Sequence, residues 1–356
     1  MDVDRQLQIG VLGCGPIAQV AHLEACNRAR NATLYAICDV AGDLLERMAV
    51  VHRPTATFSS FADMLADPQV EAVIVATADQ FHLELCQQAL AAGKHILVEK
   101  PLGVAIDETE KLARAVDDSD HILQVGSMKR FDPGIVFARD FVRDQMGEIL
   151  ALKAWYCDST YRYTMTDNLQ PVPFSSGQAL RPDGDPKEDK VRYYMLTHGS
   201  HLVDTARFLG GPIIAVRGRL AHKYGAYSWF VEVAFANGSL GHLDLTVAVR
   251  MDFHEGFQIY GEHGSVLGKT YLPWYLKASD VECFSTRDGQ YHRPLGEDAH
   301  FYRRQVEGFA DAILEGKTMV GADVHDGLAA VRAMVAIARS VDSGDWVQLE
   351  EAEGAL

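Results

Sequence analysis

Three short stretches of this chain combine residue types that can do chemistry with the spacing to do it. Glu99-Lys100-Pro101 closes the run His95-Ile-Leu-Val-Glu-Lys-Pro. Ile96, Leu97 and Val98 predict a short buried strand, and a strand that ends in a charged pair and a proline delivers those charges to a sheet edge. Proline fixes its own φ and biases Lys100 toward an extended backbone, so the ammonium is aimed; the Lys100–Pro101 bond is also a candidate for the cis form. For Glu-Lys-Pro taken alone, the plain alternative is a surface lysine in a solvated turn. The second stretch, Gly13-Cys-Gly15-Pro16-Ile17-Ala18, is a G-x-G-x-x-A turn. One glycine allows the tight turn, the next lets backbone approach a pyrophosphate, and the small third residue lets helix and strand pack closely. The third is Tyr193-Tyr-Met-Leu-Thr197-His198-Gly-Ser-His201-Leu-Val-Asp204, which predicts a helix stopped by Gly-Gly-Pro. On it Thr197 and His201 are i,i+4 neighbours, with Asp204 one turn further. For His198, capping and packing stand beside a functional role.

The elements that must position these residues follow from periodicity. Residues 6–13 predict a first strand running into the glycine turn, and an alanine-rich helix follows whose N-terminal N–H groups would face the phosphates. The next predicted strand, 33–39, ends in Asp39, about 20 residues past the turn, the offset of a ribose ligand. A carboxylate there accepts bonds from ribose hydroxyls and repels a 2'-phosphate, which favours NAD over NADP. Arg47, several residues on, belongs to the next helix. The apolar run 71–76 predicts a buried parallel strand, and Thr77 and Asp79 in the loop after it are candidate walls of a nicotinamide-ribose site. His82 opens the next helix, where capping and function are both open. Helix 107–117 and strand 122–126 complete a β-α alternation, the mark of a parallel sheet.

After Met128-Lys-Arg130-Phe-Asp-Pro133 the pattern changes. Segments 149–157, 213–222, 228–236, 239–249, 257–261 and 265–269 predict strands joined by short turns, with Ala236-Asn237-Gly238 the clearest hairpin. That is a largely antiparallel meander, so the domains are expected at 1–127 and 128–356. An open sheet of this size needs a cover or a partner, and a homo-oligomer, dimer or tetramer, is expected through it. Helical stripes near the end, from Phe301 to Ile313 and from Leu328 to Ile337, read as core. Residues 160–191, rich in Pro, Gly, Asp and Ser, are too long for a plain connection. The stretch before and into them holds Tyr156, Asp158, Tyr161 and Arg162, an aromatic and polar mixture that suits a polyol.

Composition narrows the classes. A formal net charge of −16 over 356 residues argues against nucleic-acid and anionic-membrane partners, which require a basic face. No apolar run reaches a membrane span, the first ten residues lack a signal-peptide pattern, and the cytoplasm is the expected location. Six cysteines stand far apart with no metal or redox spacing, so reduced thiols and no metal are expected.

Gly13-x-Gly15-x-x-Ala18, Val75-Ala-Thr77 with His82, Ala92-Gly-Lys-His-Ile-Leu-Val-Glu-Lys-Pro101 and Gln124-Val-Gly together resemble the Gfo/Idh/MocA oxidoreductases over essentially the whole chain. The resemblance implies an α/β protein: a Rossmann doubly wound parallel sheet that binds nicotinamide, then an α+β domain with a large, mainly antiparallel sheet lining the substrate cleft. It also implies that His201-x-x-Asp204 is the catalytic-histidine helix. The family normally places aspartate four positions before that histidine, and this chain has Thr197, which can orient an imidazole but cannot supply charge. The expected reaction is hydride transfer from a sugar or cyclitol hydroxyl carbon to NAD. His201 takes the proton, Lys100 stabilises the alkoxide, Glu99 orients Lys100, and His198 compensates for Thr197 or meets the substrate. Arg130, Tyr156, Asp158, Tyr161 and Arg162 are the expected substrate contacts. Two alternatives are a redox-neutral NAD-dependent glycosidase and a non-catalytic NAD-binding regulator.

Overall fold

The structure, a computed structural model, describes residues 5–159, 173–180, 187–297 and 299–356. Tyr161 and Arg162, two of the expected substrate contacts, lie outside them. The described residues form two compact units. The first takes in those of Met1–Met128, Gln170–Glu188 and His300–Leu328; the second takes in those of Lys129–Leu169, Asp189–Ala299 and Ala329–Leu356.

The first unit is built on a six-stranded sheet. Its strands are β1 (Leu7–Leu12), β2 (Ala32–Cys38), β3 (Ala56–Phe58), β4 (Ala72–Val75), β5 (His95–Val98) and β6 (Leu123–Val125), in the order β3-β2-β1-β4-β5-β6 and parallel throughout. Strands covered on both faces need no polar alternation. Ala-Val-Ile-Val of β4 is accordingly fully buried along its length, at about 1.5–3 kcal/mol for each Val or Ile. Among the crossovers, helices His82–Ala91 and Ile106–Asp117 contribute Leu83, Cys86, Ala89, Leu112 and Ala113 to a core shared with Val73, Val75, Ile96 and Val98. Beyond β6, Ala322 bridges antiparallel to Val125 and caps the sheet edge. This strand order reverses direction between β1 and β4, and ligands of such sheets sit outside the carboxyl ends at that switch. Gly13, Asp39, Thr77 and Lys100 all follow those carboxyl ends.

The second unit is built on a nine-stranded sheet of β7 (Ile149–Ser159), β8 (Ile213–Lys223), β9 (Ala226–Phe235), β10 (Leu240–Val249), β11 (His254–Gly261), β12 (Gly264–Thr270), β13 (Asp280–Ser285), β14 (Gln290–His292) and β15 (Val347–Gln348). The order is β14-β13-β12-β11-β7-β10-β9-β8-β15. Every pairing is antiparallel except β7 with β10, the two strands brought together across the long connection. The β9–β10 hairpin turns at Ala236–Ser239, where Gly238 takes φ +84, the left-handed conformation glycine supplies without strain. Alternation sets the two faces: Leu152, Ala154, Tyr156 and Asp158 of β7 are buried, while Lys153 between them is exposed. Helices Pro133–Asp144 and Ser200–Gly210 pack on the inner face, the first on β12 and β13, the second on β7 and β10.

Among the described residues, no helix is long and apolar enough to cross a membrane.

Candidate functional site

In the first unit the glycine turn is held on two sides. Gly13 adopts φ +93, and a Cβ there would lie 2.8 Å from the carbonyl oxygen of Ala76, so both conformation and space demand glycine. At Gly15 an added Cβ would meet nothing within 4 Å. The protein therefore leaves open space beside that backbone, as a turn that admits a pyrophosphate must. Pro16 is exposed, Ile17 half-buried and Ala18 buried where the helix begins. That helix opens with a π-turn, Ala18–His22, before continuing as Leu23–Arg28. Asp39 fixes the turn from β2: Oδ2 accepts the Cys14 N–H at 2.6 Å and Oδ1 accepts that of Ala41 at 2.7 Å. Burial, with the charge of Asp39 second, pushes the Cys14 thiol up to about 12, so it stays protonated and is no nucleophile. These residues fit a dinucleotide: a glycine cradle open to one side, with an anchored carboxylate at the ribose position.

Lys100, half-buried, follows β5, and its bond to Pro101 is cis. Its own N–H donates to Glu99 Oε2 at 3.1 Å. Glu99 Oε1 meets Nε2 of His22 at 2.7 Å, with side-chain exposures of 8% and 0%, so this is a pair removed from water. Burial pushes the Glu99 carboxyl up, yet the hydrogen bond and charge of His22, with Lys100 and His82 behind them, outweigh it and hold the group below its ordinary value. His22 escaped the sequence reading because it lies 77 residues from its partner. Its edge meets the ring of Tyr302 at 5.5 Å. His82 is buried between two carbonyls, Nδ1 at 2.8 Å from Pro101 O and Nε2 at 3.2 Å from Thr77 O, and burial holds it below the usual imidazole range. It ties the loop after β4 to the loop after β5. Asp79 is half-buried and accepts the N–H of Gln80. Residues 173–180 also reach the glycine turn: Gln19 exchanges bonds with the Phe174 backbone at 2.8 and 3.0 Å, and the Arg47 guanidinium lies 4.5 Å from the Phe174 ring centre.

In the second unit the predicted residues gather around Tyr156. His201 stacks on its ring at 5.9 Å, His198 meets it edge-on at 5.5 Å, and the Lys129 ammonium lies 4.6 Å from the ring centre. Lys129 is paired with Glu255, both buried. Burial lowers the lysine and raises the glutamate, drawing each toward its neutral form, while the mutual attraction opposes that. Arg130 forks onto Asp204, Nε at 3.1 Å from both oxygens and Nη2 at 2.8 Å from one, and so ties residues 128–131 to helix Ser200–Gly210. The helix that carries Thr197 and His201 is not regular throughout. A π-turn, Met195–Gly199, interrupts it, and the Thr197 hydroxyl contacts Tyr193 O and His198 Nδ1, each at 2.7 Å. His198 Nε2 lies 3.1 Å from Oδ2 of Asp158.

A cavity of about 330 Å³ sits elsewhere in this unit, on the outer face of the sheet, among Lys153, Trp155, His242, Asp244 and His254. It is lined by none of the candidate site residues. Among the described residues, no three His, Cys, Asp or Glu side chains are placed to hold a metal ion.

Known proteins share this arrangement of sequence and fold. The family model described as "Oxidoreductase family, NAD-binding Rossmann fold" matches residues 7–127, and "Oxidoreductase family, C-terminal alpha/beta domain" matches residues 194–349. The chain is 32% identical to a myo-inositol 2-dehydrogenase of Thermotoga maritima over 358 residues, covering 98% of this chain and 100% of that protein. An inositol 2-dehydrogenase of Rubrobacter xylanophilus is 25% identical over 362 residues, covering 98% and 94%. Among solved structures, a levoglucosan dehydrogenase in complex with NADH and L-sorbose has the same fold, with a TM-score of 0.78 over 97% of this chain and 99% of that one at 19% identity.

Proposed function

The chain belongs to the Gfo/Idh/MocA oxidoreductase family and carries its NAD-binding Rossmann domain, and we propose that it is a dehydrogenase acting on a CH–OH group of a cyclitol, sugar or sugar derivative. One observation carries the proposal furthest. The open glycine turn, the anchored Asp39 and the backbone of Lys100 all lie at the carboxyl ends of one parallel sheet, which supports a role for this lysine beside a bound dinucleotide. The polyol class is supported by the inositol and sugar dehydrogenases among the relatives and by the aromatic and polar cluster around Tyr156.

Bound NAD supplies the hydride acceptor. The protein's own residues supply the rest of the chemistry. Gly13, Gly15 and the helix start hold the pyrophosphate, and Asp39 accepts from the ribose hydroxyls. Lys100 stabilises the negative charge that develops on the substrate oxygen, an effect that grows where water is excluded. His201 receives the hydroxyl proton, with His198 beside it on the same helix. Glu99, kept ionised by His22, holds the backbone of Lys100.

Exposed apolar side chains on the outer face of the nine-stranded sheet, among them Phe230, Leu240, Tyr260 and Leu267, support assembly into a homo-oligomer through that face.

The test is initial-rate NAD reduction with myo-inositol and a panel of sugars. Lys100→Met and His201→Asn are each expected to lower kcat about 10²-fold or more with folding intact. Wild-type rates in both variants would remove these groups from the chemistry.

A further inference from the structure

The helical run over residues 190–210 widens at the π-turn Met195–Gly199, and such a turn re-aims the side chains it carries. Thr197 and His198 ride on it. The Thr197 hydroxyl donates to the carbonyl oxygen of Tyr193 at 2.7 Å, and the same oxygen is 2.7 Å from His198 Nδ1. A hydroxyl has one proton. With that proton given to Tyr193, the contact to the ring must be an Nδ1–H donated to the Thr197 oxygen. At the far side of the ring, Nε2 faces Oδ2 of Asp158 at 3.1 Å, and Asp158 Oδ1 accepts the Ser159 N–H at 2.8 Å. A neutral imidazole has a single N–H, and here it is used at Nδ1. Its Nε2 would then turn a lone pair toward a carboxylate oxygen. The imidazolium, with N–H on both nitrogens, satisfies both neighbours at once.

We propose that His198 is held as an imidazolium ion-paired to Asp158, locked by the Thr197 hydroxyl, and that the pair positions the Asp158 carboxylate to receive a substrate hydroxyl. The role toward substrate rests on the polyol reading above; the ion pair does not. Asp158 is 5% exposed, and a pair so shielded is stronger than one in water. Among the described residues, His198 faces Asp158 and the edge of Tyr156 from β7, and Thr197 with the Tyr194 ring, 5.6 Å away, from its own helix. Lys129, on the ring of Tyr156, carries its own carboxylate partner, Glu255. An ionised acceptor binds a hydroxyl about twice as strongly as a neutral one. The threonine at 197 thereby has a task of its own. Its oxygen accepts from His198 Nδ1 and so holds the ring with Nε2 toward Asp158.

The experiment reads the ring directly. In ¹⁵N-detected imidazole spectra of the full chain, with the His198 signals identified by their loss in His198→Gln, wild type near neutral pH is expected to carry protons on both ring nitrogens. In Asp158→Asn that doubly protonated signature is expected to retreat by about one pH unit or more, because the anion that favours it has gone. In parallel, with NAD and myo-inositol as the probe, Asp158→Asn is expected to raise KM about ten-fold while kcat changes less, the mark of lost substrate positioning. A singly protonated His198 in wild type, or an unchanged ring in Asp158→Asn, overturns the ion pair. An intact pair with KM unmoved overturns the positioning role alone. If wild type reduces no NAD with any polyol, the dehydrogenase reading fails and takes the positioning role with it, while the spectra still decide the ion pair.

Discussion

At the residue scale, Glu99 shows how a buried charge is made tolerable beside a working lysine. Its carboxylate is out of water, meets His22 at 2.7 Å and receives the Lys100 N–H. Replacing the carboxylate by a neutral amide weakens its buried bonds to His22 and to the Lys100 N–H, and a bond to a charged group contributes about 1.5–3 kcal/mol. Glu99→Gln is therefore expected to lower stability in urea unfolding by about that much near neutral pH. The sign with pH follows from the depressed carboxyl. Because the folded-state value lies below the ordinary 4.5, the stabilisation is fully present above about 4.5 and is lost as pH falls through the folded value. The gap between wild type and variant should thus shrink below about pH 4.5; a gap constant down to strong acid would contradict the assigned pair. Much at this scale was legible in sequence. The positive φ of Gly13 and the cis bond of Lys100–Pro101 follow from residue types that local sequence displays. The role of His22 does not, because it is made by a contact between distant positions, and an isolated histidine in a helix carries no mark of it.

At the scale of elements, Asp132 is the joint on which the second unit's first helix turns. It caps Pro133–Asp144 by accepting the Gly134 N–H at 2.8 Å, and it accepts from Ser279 through both N–H, at 3.0 Å, and hydroxyl, at 2.5 Å. Beside it, Gly134 packs so closely on the Ser279 carbonyl that a Cβ would collide. Asp132→Ala is expected to lose about 2–4 kcal/mol, the cap together with unsatisfied buried donors, measured as a drop in the denaturation midpoint with its slope unchanged. A loss under about 0.5 kcal/mol would show that the joint carries no load. Element existence and type were readable from periodicity and turn residues, as the Ala236-Asn237-Gly238 hairpin and the unbroken apolar run of β4 illustrate. The helix bearing the histidines departs from the regular period that reasoning assumes. Thr197 and His201 were placed on one face by a 3.6-residue period, and the π-turn at Met195–Gly199 changes the period at that point. Nothing in Met-Leu-Thr-His-Gly announces a π-turn, and the contact of His198 with Asp158, 40 residues away, is equally invisible to local periodicity.

At the scale of the whole molecule, the nine-stranded sheet presents an outer face that mixes Phe230, Leu240, Tyr260 and Leu267 with charged neighbours. Exposures of 47% at Phe230 and 61% at Leu240 are large for apolar side chains on regular strands, and a second copy of the chain would remove them from water. Sedimentation equilibrium is expected to show a dimer or tetramer at micromolar concentration, and Phe230→Asp with Leu240→Asp to shift it toward the protomer mass; a wild-type monomer would contradict this. The division into a parallel and a mainly antiparallel sheet was legible from the change of pattern after Met128. The parallel pairing of β7 with β10 was not, since strands so far apart in sequence are matched only by the folded sheet. Likewise no local pattern shows that Phe174 returns to Gln19 and Arg47 at the glycine turn.

The central claim is that this chain moves a hydride from a hydroxyl-bearing carbon to nicotinamide, and isotope transfer tests it most directly. With NAD and myo-inositol deuterated at its ring carbons, or another deuterated polyol from the panel, mass spectrometry is expected to find one deuterium on the reduced nicotinamide, formed in step with the keto product. Release of an aglycone from a glycoside with no net reduced nicotinamide, or no transfer of label from any polyol, would contradict it.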